Sequence, residues 1–354
     1  MMRSHFTVSS LFRIQRIILY LWNLNQIQTQ MSSLNTLFGG LELKSPVIVG
    51  SNSQTASLDK IVEFEKAGAG AVVLKSLFEE SIAREIDANV SDEHPEAYDY
   101  ISNYLSEKVV SDYLSLIAAA KAKCSIPVIA SIACHTDGKW EEFAKRIEEA
   151  GADALELNVM SLSTSRNYTP GDFEKIHENI VSNVRAMVRI PLIVKLGANI
   201  SNPVALCSNL YAKGANAVVL FNRFYPTDID IDKLSFTSGN PFTSAADLSG
   251  SLRWAGIVSA AISQLPIAVS GGVDSYRGVV KSLLSGACAV EVASAIIKQG
   301  ASWITEANSG VKSWMEGKGY KTIEDFRGAL NATDPENAEK LFRTQFLKYF
   351  SEVH

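Results

Sequence analysis

Short aliphatic runs recur along the chain in two alternating forms. Four runs begin with a proline: SPVIVG (45–50), IPVIAS (126–131), IPLIVK (190–195) and LPIAVS (265–270). Four others follow a turn of small residues: AGAGAVVLKS (67–76), AGADALELNV (150–159), KGANAVVLFN (213–222) and SGACAVEVAS (285–294). Uninterrupted runs of Val, Ile, Leu and Ala bounded by turn residues are typical of buried parallel strands. The pattern therefore predicts eight such strands.

The segments between the runs have helical patterns. SLDKIVEFEKAG (57–68) places Ile61, Phe64 and Glu65 at helical spacing, and GKWEEFAKRIEEAG (138–151) predicts another helix. Proline at the start of a strand removes no ladder donor from its interior, and glycine commonly follows the last turn of a helix. Eight strand–helix alternations predict a closed, parallel (β/α)8 TIM barrel, with an open doubly wound sheet as the alternative.

Two longer insertions, about 77–112 and 223–252, follow the second and sixth predicted strands. Both lie on the face of such a barrel that carries catalysis, so we expect them to form lids. Residues 31–354 are predicted to be a single barrel domain, since barrels of this size commonly form one domain.

Residues 1–30 are predicted to be an N-terminal extension outside the fold. Its apolar stretch LFRIQRIILYLWNL (11–24) is interrupted by Arg13 and Arg16 and is shorter than the ~20 residues of a spanning helix. One interpretation is an amphipathic helix on a membrane surface, with Ile14, Ile17, Ile18 and Leu21 on one side. The favoured interpretation is extra sequence upstream of a natural start at Met31.

The net charge and the spacing of the cysteines argue against a nucleic-acid-binding protein and against a metal-binding one. The net charge of −5 gives no basic footprint for nucleic acid, so we expect no such partner. The four cysteines, Cys124, Cys134, Cys207 and Cys288, are scattered without a CxxC pair. This spacing argues against zinc and iron–sulfur sites, and we expect no metal and a reducing, cytoplasmic location.

The active site of a TIM barrel lies at the C-terminal ends of its strands. The residues predicted at those ends are Ser51, Lys75, Ser76, Asn158, Lys195, Asn222, Gly271, Gly272 and Ser294. A lysine inside a barrel must pair or function, because burying an unpaired ammonium is costly. The alternative for each lysine is an ion pair with a carboxylate such as Glu156.

SGGVDS (270–275) follows the seventh strand, and VASAI (292–296) ends the eighth. Phosphate sites in these barrels use the loops after strands seven and eight, where backbone N–H groups converge. Gly271 and Gly272 let the backbone approach a phosphate closely. These residues predict a phosphorylated ligand or cofactor.

The ordered motifs KS (75–76), LELN (155–158), VKL (194–196), LSG (248–250) and SGG (270–272) resemble the dihydroorotate dehydrogenase family. The similarity extends from about residue 35 to 332. The segment KGYKTIEDFRGAL (318–330) resembles the C-terminal helix of the soluble, fumarate-reducing class. The resemblance implies oxidation of dihydroorotate to orotate in pyrimidine biosynthesis, or a closely related dihydropyrimidine reaction.

The resemblance also implies an FMN cofactor. Its phosphate would be held by Gly271, Gly272, Ala293 and Ser294, with Gly250 and Ser251 beside the ribityl chain. Ser51 and Ser76 would lie near the ring, and Lys195 would stabilise negative charge on the reduced flavin. The other implied contacts are Lys75, bridging flavin and substrate, and Asn158 and Asn222, which bind the pyrimidine edge.

The resemblance places Ser161 at the position of the catalytic base, in NVMSLS (158–163); a plain loop serine is the alternative. A serine hydroxyl is a poor base unaided and needs a water chain or a hydrogen-bonded partner. The sequence departs from the family at three substrate positions. Ser163 replaces an asparagine, only Asn103 is available in the strand-2 insertion, and Arg223 follows Asn222 where a serine is usual.

Two rival functions stay open at this stage. A Schiff-base aldolase on the same barrel would use Lys75 or Lys195 as the nucleophile and would need a depressed lysine pKa. A flavin-binding paralogue without dehydrogenase activity is the other. The electron acceptor is expected to be fumarate, from the C-terminal resemblance, or quinone, from Ser161; the soluble class suggests a homodimer.

Overall fold

The computed structural model describes residues 32–78, 95–134, 140–224 and 226–344. Its strands are β1 (Thr36–Phe38), β2 (Leu41–Leu43), β3 (Val47–Val49), β4 (Ala71–Val73), β5 (Leu77–Phe78), β6 (Val128–Cys134), β7 (Ala154–Val159), β8 (Leu192–Gly197), β9 (Ala217–Asn222), β10 (Thr227–Asp230), β11 (Ser235–Ser238), β12 (Ile267–Ser270) and β13 (Ala289–Val292).

Eight of these strands form a closed ring in the order β3, β4, β6, β7, β8, β9, β12, β13. Every neighbouring pair is parallel, and β13 returns to pair with β3. Each of the eight predicted runs contributes one barrel strand. The predicted TIM barrel is therefore confirmed, and the open sheet is excluded.

Helices surround the ring. They are α1 (Leu58–Lys66), α2 (Pro95–Lys123), α3 (Trp140–Glu149), α4 (Asp172–Met187), α5 (Pro203–Ala212), α6 (Leu248–Ala261), α7 (Tyr276–Leu284), α8 (Ser294–Gln299), α9 (Ser302–Lys318) and α10 (Pro335–Phe342). Helix α1 buries Ile61 and Phe64 as its spacing predicted. Glu65 instead accepts hydrogen bonds from Ser125, ahead of β6.

Side chains along each barrel strand point alternately inward and outward, so the core has two parts: the barrel interior and the layer between barrel and helices. Leu155 and Leu157 of β7 point outward into the layer between barrel and helices. Ala154 belongs to the barrel interior, which the β1–β2 hairpin closes at one end. Since side chains alternate with a period of two, Glu156 and Asn158 also face inward. The interior is thus apolar at its N-terminal end and polar towards the strand ends that carry the site.

The insertions differ in form. The first contains β5, which pairs with β6, and the start of α2; residues 79–94 lie outside the described residues. The second contains the antiparallel hairpin β10–β11, a 3-10 turn at Ala245–Asp247 and the start of α6. The hairpin exposes Ile229, Leu234 and Phe236. A lid function for either insertion stays a prediction.

The C-terminal expectation needs correction. Residues 320–330 contain one 3-10 turn, Ile323–Asp325, and not a helix. Helix α9 stops at Lys318 because Gly319 takes a left-handed conformation (φ 79°). The Asp325 carboxylate then accepts the N–H groups of Lys321 and Thr322, which closes a single turn. The helical part of the resemblance to the fumarate-reducing class is therefore wrong.

Residues 1–31 lie outside the described residues, and with them both interpretations of the N-terminal segment. Within the described ranges, the structure contains no helix long and apolar enough to cross a membrane.

Candidate active site

Two strand-end asparagines bond to each other. Asn222 Nδ2, at the end of β9, donates to Asn158 Oδ1, near the end of β7, at 2.8 Å. The backbone N–H of Arg223 donates to Asn222 Oδ1, also at 2.8 Å. These bonds fix how the Asn222 amide is oriented. The predicted pair of substrate asparagines is therefore adjacent, and Arg223 holds one of them.

A layer of charged side chains fills the barrel interior below this pair. Lys195 Nζ forms an ion pair with Glu291 Oε1, and their side chains are only 10% and 2% exposed. Lys195 thus has a carboxylate partner, but it is Glu291 of β13 and not Glu156. Sequence reasoning missed Glu291. One feature of the sequence could have identified it: Glu291 is the one charged residue in the apolar strand AVEV (289–292), at a position that alternation directs into the barrel.

The charged groups in this layer shift each other's pKa values. Burial and the nearby charge of Glu291 hold the pKa of Glu156 well above its usual value, although Lys195 and the Ser131 hydroxyl act in the opposite direction. Burial lowers the pKa of Lys195, but attraction to Glu291 and Glu156 and the hydrogen bond to Glu291 outweigh it, so its pKa is raised. The layer therefore favours the charged form of Lys195 and disfavours ionisation of Glu156.

Three serine hydroxyls connect the site to this layer. Ser51 Oγ lies 3.0 Å from Ser76 Oγ, which lies 2.8 Å from Ser131 Oγ. Ser131 Oγ in turn donates to Glu156 Oε1 at 3.1 Å. The structure therefore brings the predicted residues Ser51 and Ser76 together and joins them to a third serine that sequence reasoning did not select.

A cavity of about 260 Å³ lies beside the ends of β9 and β12. Of the predicted residues, it is lined by Asn222, Gly250, Ser251 and Gly271; Arg223, Thr243 and Trp254 are lining residues that were not predicted as contacts. A Cβ at Gly250 would meet no atom within 4 Å, and Gly271 has a positive φ of 84°. The space beside Gly250 is open, and the absence of a side chain at both glycines leaves the backbone accessible from the cavity.

The other predicted phosphate contacts are engaged within the protein. A Cβ at Gly272 would lie 2.4 Å from Leu248 N, so this glycine permits close packing of the second insertion. Thr243 donates to Ser294 Oγ from both its N–H and its hydroxyl, at 3.1 Å. Ala293 links β13 to α8. Gly272 and Ser294 thus join the strand ends to the second insertion.

The loop after β7 contains the predicted base. Ser161 Oγ is buried and makes no hydrogen bond to any described residue, while its backbone oxygen accepts a bond from Asn199 at 3.1 Å. The hydroxyl thus has no protein partner in the described chain to activate it. His135, an alternative acceptor of the proton, lies outside the described residues.

The remaining predicted contacts are less well supported by position. Lys75 and Ser163 are exposed, and within the described ranges Lys75 makes no ion pair. Asn103 lies in α2, but its side chain is outside what the structure describes.

A larger cavity, of about 760 Å³, lies at the opposite end of the barrel. Its lining includes Pro127 and Pro266, which precede barrel strands, and four of its charged residues pair with each other: Lys121 with Asp153 at 2.7 Å and Arg327 with Glu324 at 2.6 Å. Catalytic sites of this fold lie at the other end. Volume alone would therefore select the wrong cavity.

Comparison with known proteins agrees with this geometry. A family model described as dihydroorotate dehydrogenase matches residues 33–315. The chain belongs to the dihydroorotate dehydrogenase family. The family resemblance of the strand-end motifs is therefore confirmed, and the match covers every barrel strand.

Relatives in this family differ in their named acceptors and substrates. The catalytic subunit of dihydroorotate dehydrogenase B (NAD(+)) from Methanosarcina acetivorans is 28% identical over 82% of this chain and 93% of its own length. A putative dihydroorotate dehydrogenase A (fumarate) from Aeropyrum pernix is 29% identical over 60% of this chain and 70% of its own. The NAD-dependent dihydropyrimidine dehydrogenase subunit PreA of Escherichia coli is 24% identical over 84% and 77%.

Proposed function

We propose that this chain is an FMN-dependent oxidoreductase that acts on a CH–CH bond of a dihydropyrimidine, and that dihydroorotate, oxidised to orotate, is its substrate. The observation that carries the proposal is the Asn158–Asn222 amide pair, 2.8 Å apart at the strand ends above the buried Lys195. Planar amides bind amide-like ring edges with complementary donors and acceptors. Membership of the dihydroorotate dehydrogenase family supports the same chemistry.

The residues at the strand ends fit FMN. The cavity of about 260 Å³ is smaller than the roughly 300–1,000 Å³ of pockets that enclose whole drug-sized ligands, so it suits one end of the cofactor. Gly271 and Gly250 leave the backbone open there, and Ser251 lies beside them. We assign the phosphate and ribityl end to this cavity. Bound FMN would supply a hydride acceptor.

Several residues support this end indirectly. Gly272 and Ser294 hold the 243–248 segment against the strand ends, and Ala293 connects β13 to α8. Ser51 and Ser76, on the far side of the barrel mouth, are assigned to the ring. Lys195, paired with Glu291, would supply positive charge near the ring.

The substrate would bind above the same layer. Asn158 and Asn222 would hold the pyrimidine edge, and Lys75, Asn103 and Ser163 are proposed as further contacts. The buried Ser161 hydroxyl would take the proton from the carbon next to the one that loses hydride. Since no described residue activates it, water is the expected route for that proton.

The titration of Lys195 argues against the Schiff-base aldolase. An imine-forming lysine needs a depressed pKa, whereas the pKa of Lys195 is raised and its ammonium is paired with Glu291. Lys75 remains the other candidate for that chemistry, and treatment with borohydride plus a carbonyl substrate tests it. Inactivation of a colourless protein would support the aldolase.

The experiment that tests the function is cofactor and substrate analysis of the purified full-length protein. We expect a yellow protein that releases FMN on denaturation and oxidises dihydroorotate. Oxidation of dihydrouracil in preference to dihydroorotate would keep the reaction type and change the substrate. Bound flavin that no dihydropyrimidine reduces would support a flavin-binding paralogue without dehydrogenase activity.

We propose fumarate or a quinone as electron acceptor and a homodimer as the assembly. Because relatives are named for NAD(+) and for fumarate, the electron acceptors must be compared directly in this protein. Steady-state rates with fumarate, a soluble quinone and NAD⁺ distinguish the three acceptors. Light scattering of the purified protein measures the oligomeric state.

A further inference from the structure

The buried charged layer holds more negative than positive groups. Glu156 and Glu291 are 1% and 3% exposed, and Lys195 is the ammonium that faces them within the described part of the barrel. Tyr113, behind β6, bonds the backbone of Ser131 and is the other titratable group near Glu156. With both carboxyl groups ionised, the layer would carry an uncompensated charge away from water, which is costly. One retained proton makes it neutral.

The hydrogen bonds of the two glutamates indicate which carboxyl group retains the proton. Glu291 Oε1 receives the Lys195 ammonium. Glu156 Oε1 accepts one bond from Ser131, but its buried Oε2 receives no hydrogen bond from a donor among the described residues. An ionised carboxylate is acceptor-only at both oxygens, so an unbonded buried oxygen is unfavourable in that form. A proton on Glu156 removes its charge and lets the carboxyl group donate a hydrogen bond to the neighbouring carboxylate of Glu291, in agreement with its raised pKa.

The serine chain gives this proton a route. Ser51, partly exposed, Ser76 and Ser131 are separated by 3.0 and 2.8 Å, and in both links either hydroxyl can be the donor. Each hydroxyl can therefore accept one proton and pass on another without a net charge. The oxygen–oxygen distances, including 3.1 Å to Glu156, lie at or near those of ordinary hydrogen bonds.

We propose that Glu156 holds a proton in the resting protein and exchanges it with the strand-end site through Ser131, Ser76 and Ser51. For outward transfer the Glu156 O–H donates to Ser131 Oγ, the reverse of the bond in which Ser131 donates to Glu156 Oε1. The Glu156 O–H bond breaks as Ser131 gains that proton, Ser131 and Ser76 each pass one proton on, and Ser51 would deliver one to a basic group at the strand ends, which leaves Glu156 ionised. A proton released by that group would return to Glu156 along the same hydroxyls. The proposed function is needed only to identify that group.

Infrared spectroscopy of the full-length protein tests the stored proton. We expect the carbonyl band of a protonated carboxylic acid at neutral pH. The band should disappear in Glu156→Gln and persist in Glu42→Gln, which alters an exposed carboxylate. Absence of the band in the wild type, or its survival in Glu156→Gln, would overturn the proposal.

Transfer of the protein into D₂O tests the route. The carbonyl band shifts as the carboxyl proton exchanges, and Ser131→Ala should slow that shift about tenfold or more, equivalent to a barrier higher by ~1.4 kcal/mol. Ser282→Ala is the control, because Ser282 is buried outside the chain of hydroxyls and bonds Gly278. Equal exchange in wild type and Ser131→Ala would refute the serine route.

These measurements need neither bound flavin nor turnover. A protein with the Glu156 band but without flavin reduction by any dihydropyrimidine would refute the proposed function and leave the stored proton in place. If Glu156→Gln does not fold, Ser131→Ala still decides the route, since it leaves the Glu156 carbonyl band to report the exchange.

Discussion

Lys195 and Glu291 form an ion pair across the barrel interior, from β8 to β13, two strands that are not neighbours. Gly50 at the end of β3 makes room for it, because a Cβ there would lie 2.8 Å from Glu291 Oε1. The pair places a cation beneath the strand-end asparagines. It also determines the charge balance that Glu156 experiences.

Removing the lysine should leave the buried Glu291 carboxylate without compensation. Lys195→Met is predicted to lower the free energy of unfolding by ~3–5 kcal/mol, as when one partner of a buried pair is lost. The double variant Lys195→Met/Glu291→Gln should recover most of that loss. Lys60→Met, in the exposed pair with Glu63, is the control and should cost no more than about 1 kcal/mol. Urea denaturation measures all three, and equal losses in Lys195→Met and the control would contradict the prediction.

Glu156 should make stability depend on pH. Its pKa is higher in the folded chain than the ordinary 4.5, so the folded state binds more protons than the unfolded state above that pH. Stability is therefore greatest below the ordinary pKa and declines as pH rises towards the folded value, by up to ~1.4 kcal/mol per pH unit. Glu156→Gln should lack this contribution. Denaturation of both proteins between about pH 5 and about pH 8 checks it, and parallel curves would contradict it.

Gly250 separates cofactor binding from folding. A methyl group there meets no atom within 4 Å, and alanine stabilises a helix over glycine by roughly 0.5–1 kcal/mol. Gly250→Ala should therefore leave the flavin-free protein as stable or slightly more stable while weakening FMN binding. Gly272→Val is the contrast, since its side chain would collide with Leu248 and should lose both flavin and local packing. Unchanged FMN affinity in Gly250→Ala, by fluorescence titration, would move the ribityl chain elsewhere.

Ser161 tests the proton-abstraction step. Ser161→Ala should bind flavin and substrate nearly normally, because the hydroxyl bonds no described residue. Flavin reduction should slow by ~10²–10⁴-fold, the range attributed to general base catalysis. Ser161→Cys should retain activity with a lower pH optimum, because a free thiol ionises near pH ~8.5. Stopped-flow reduction across pH compares the three proteins. Equal rates in wild type and Ser161→Ala would remove Ser161 from the mechanism.

The barrel could be predicted because every strand carries its own local pattern, and strand ends of a closed barrel must converge. That reasoning placed Asn158 and Asn222 together. It could not identify Glu291 as the partner of Lys195, since that contact crosses the barrel between strands separate in sequence. The hydrogen bonds from Thr243 to Ser294 depend on how the second insertion folds back onto the strand ends, and the hydrophobic pattern of the sequence does not predict that arrangement. Sequence similarity likewise predicted a helix over 318–330, whereas helix α9 ends at Lys318 before Gly319, and Asp325 closes a single turn after it.

Anaerobic mixing of the purified full-length protein with dihydroorotate tests the proposed function most directly. The absorbance of bound flavin is followed after mixing, with dihydrouracil and buffer as parallel controls. We expect dihydroorotate to bleach the flavin in a single turnover, at a rate that rises with its concentration, and orotate to appear in equal amount. Flavin that stays oxidised with dihydroorotate, in a protein that carries its full complement of FMN, would contradict it.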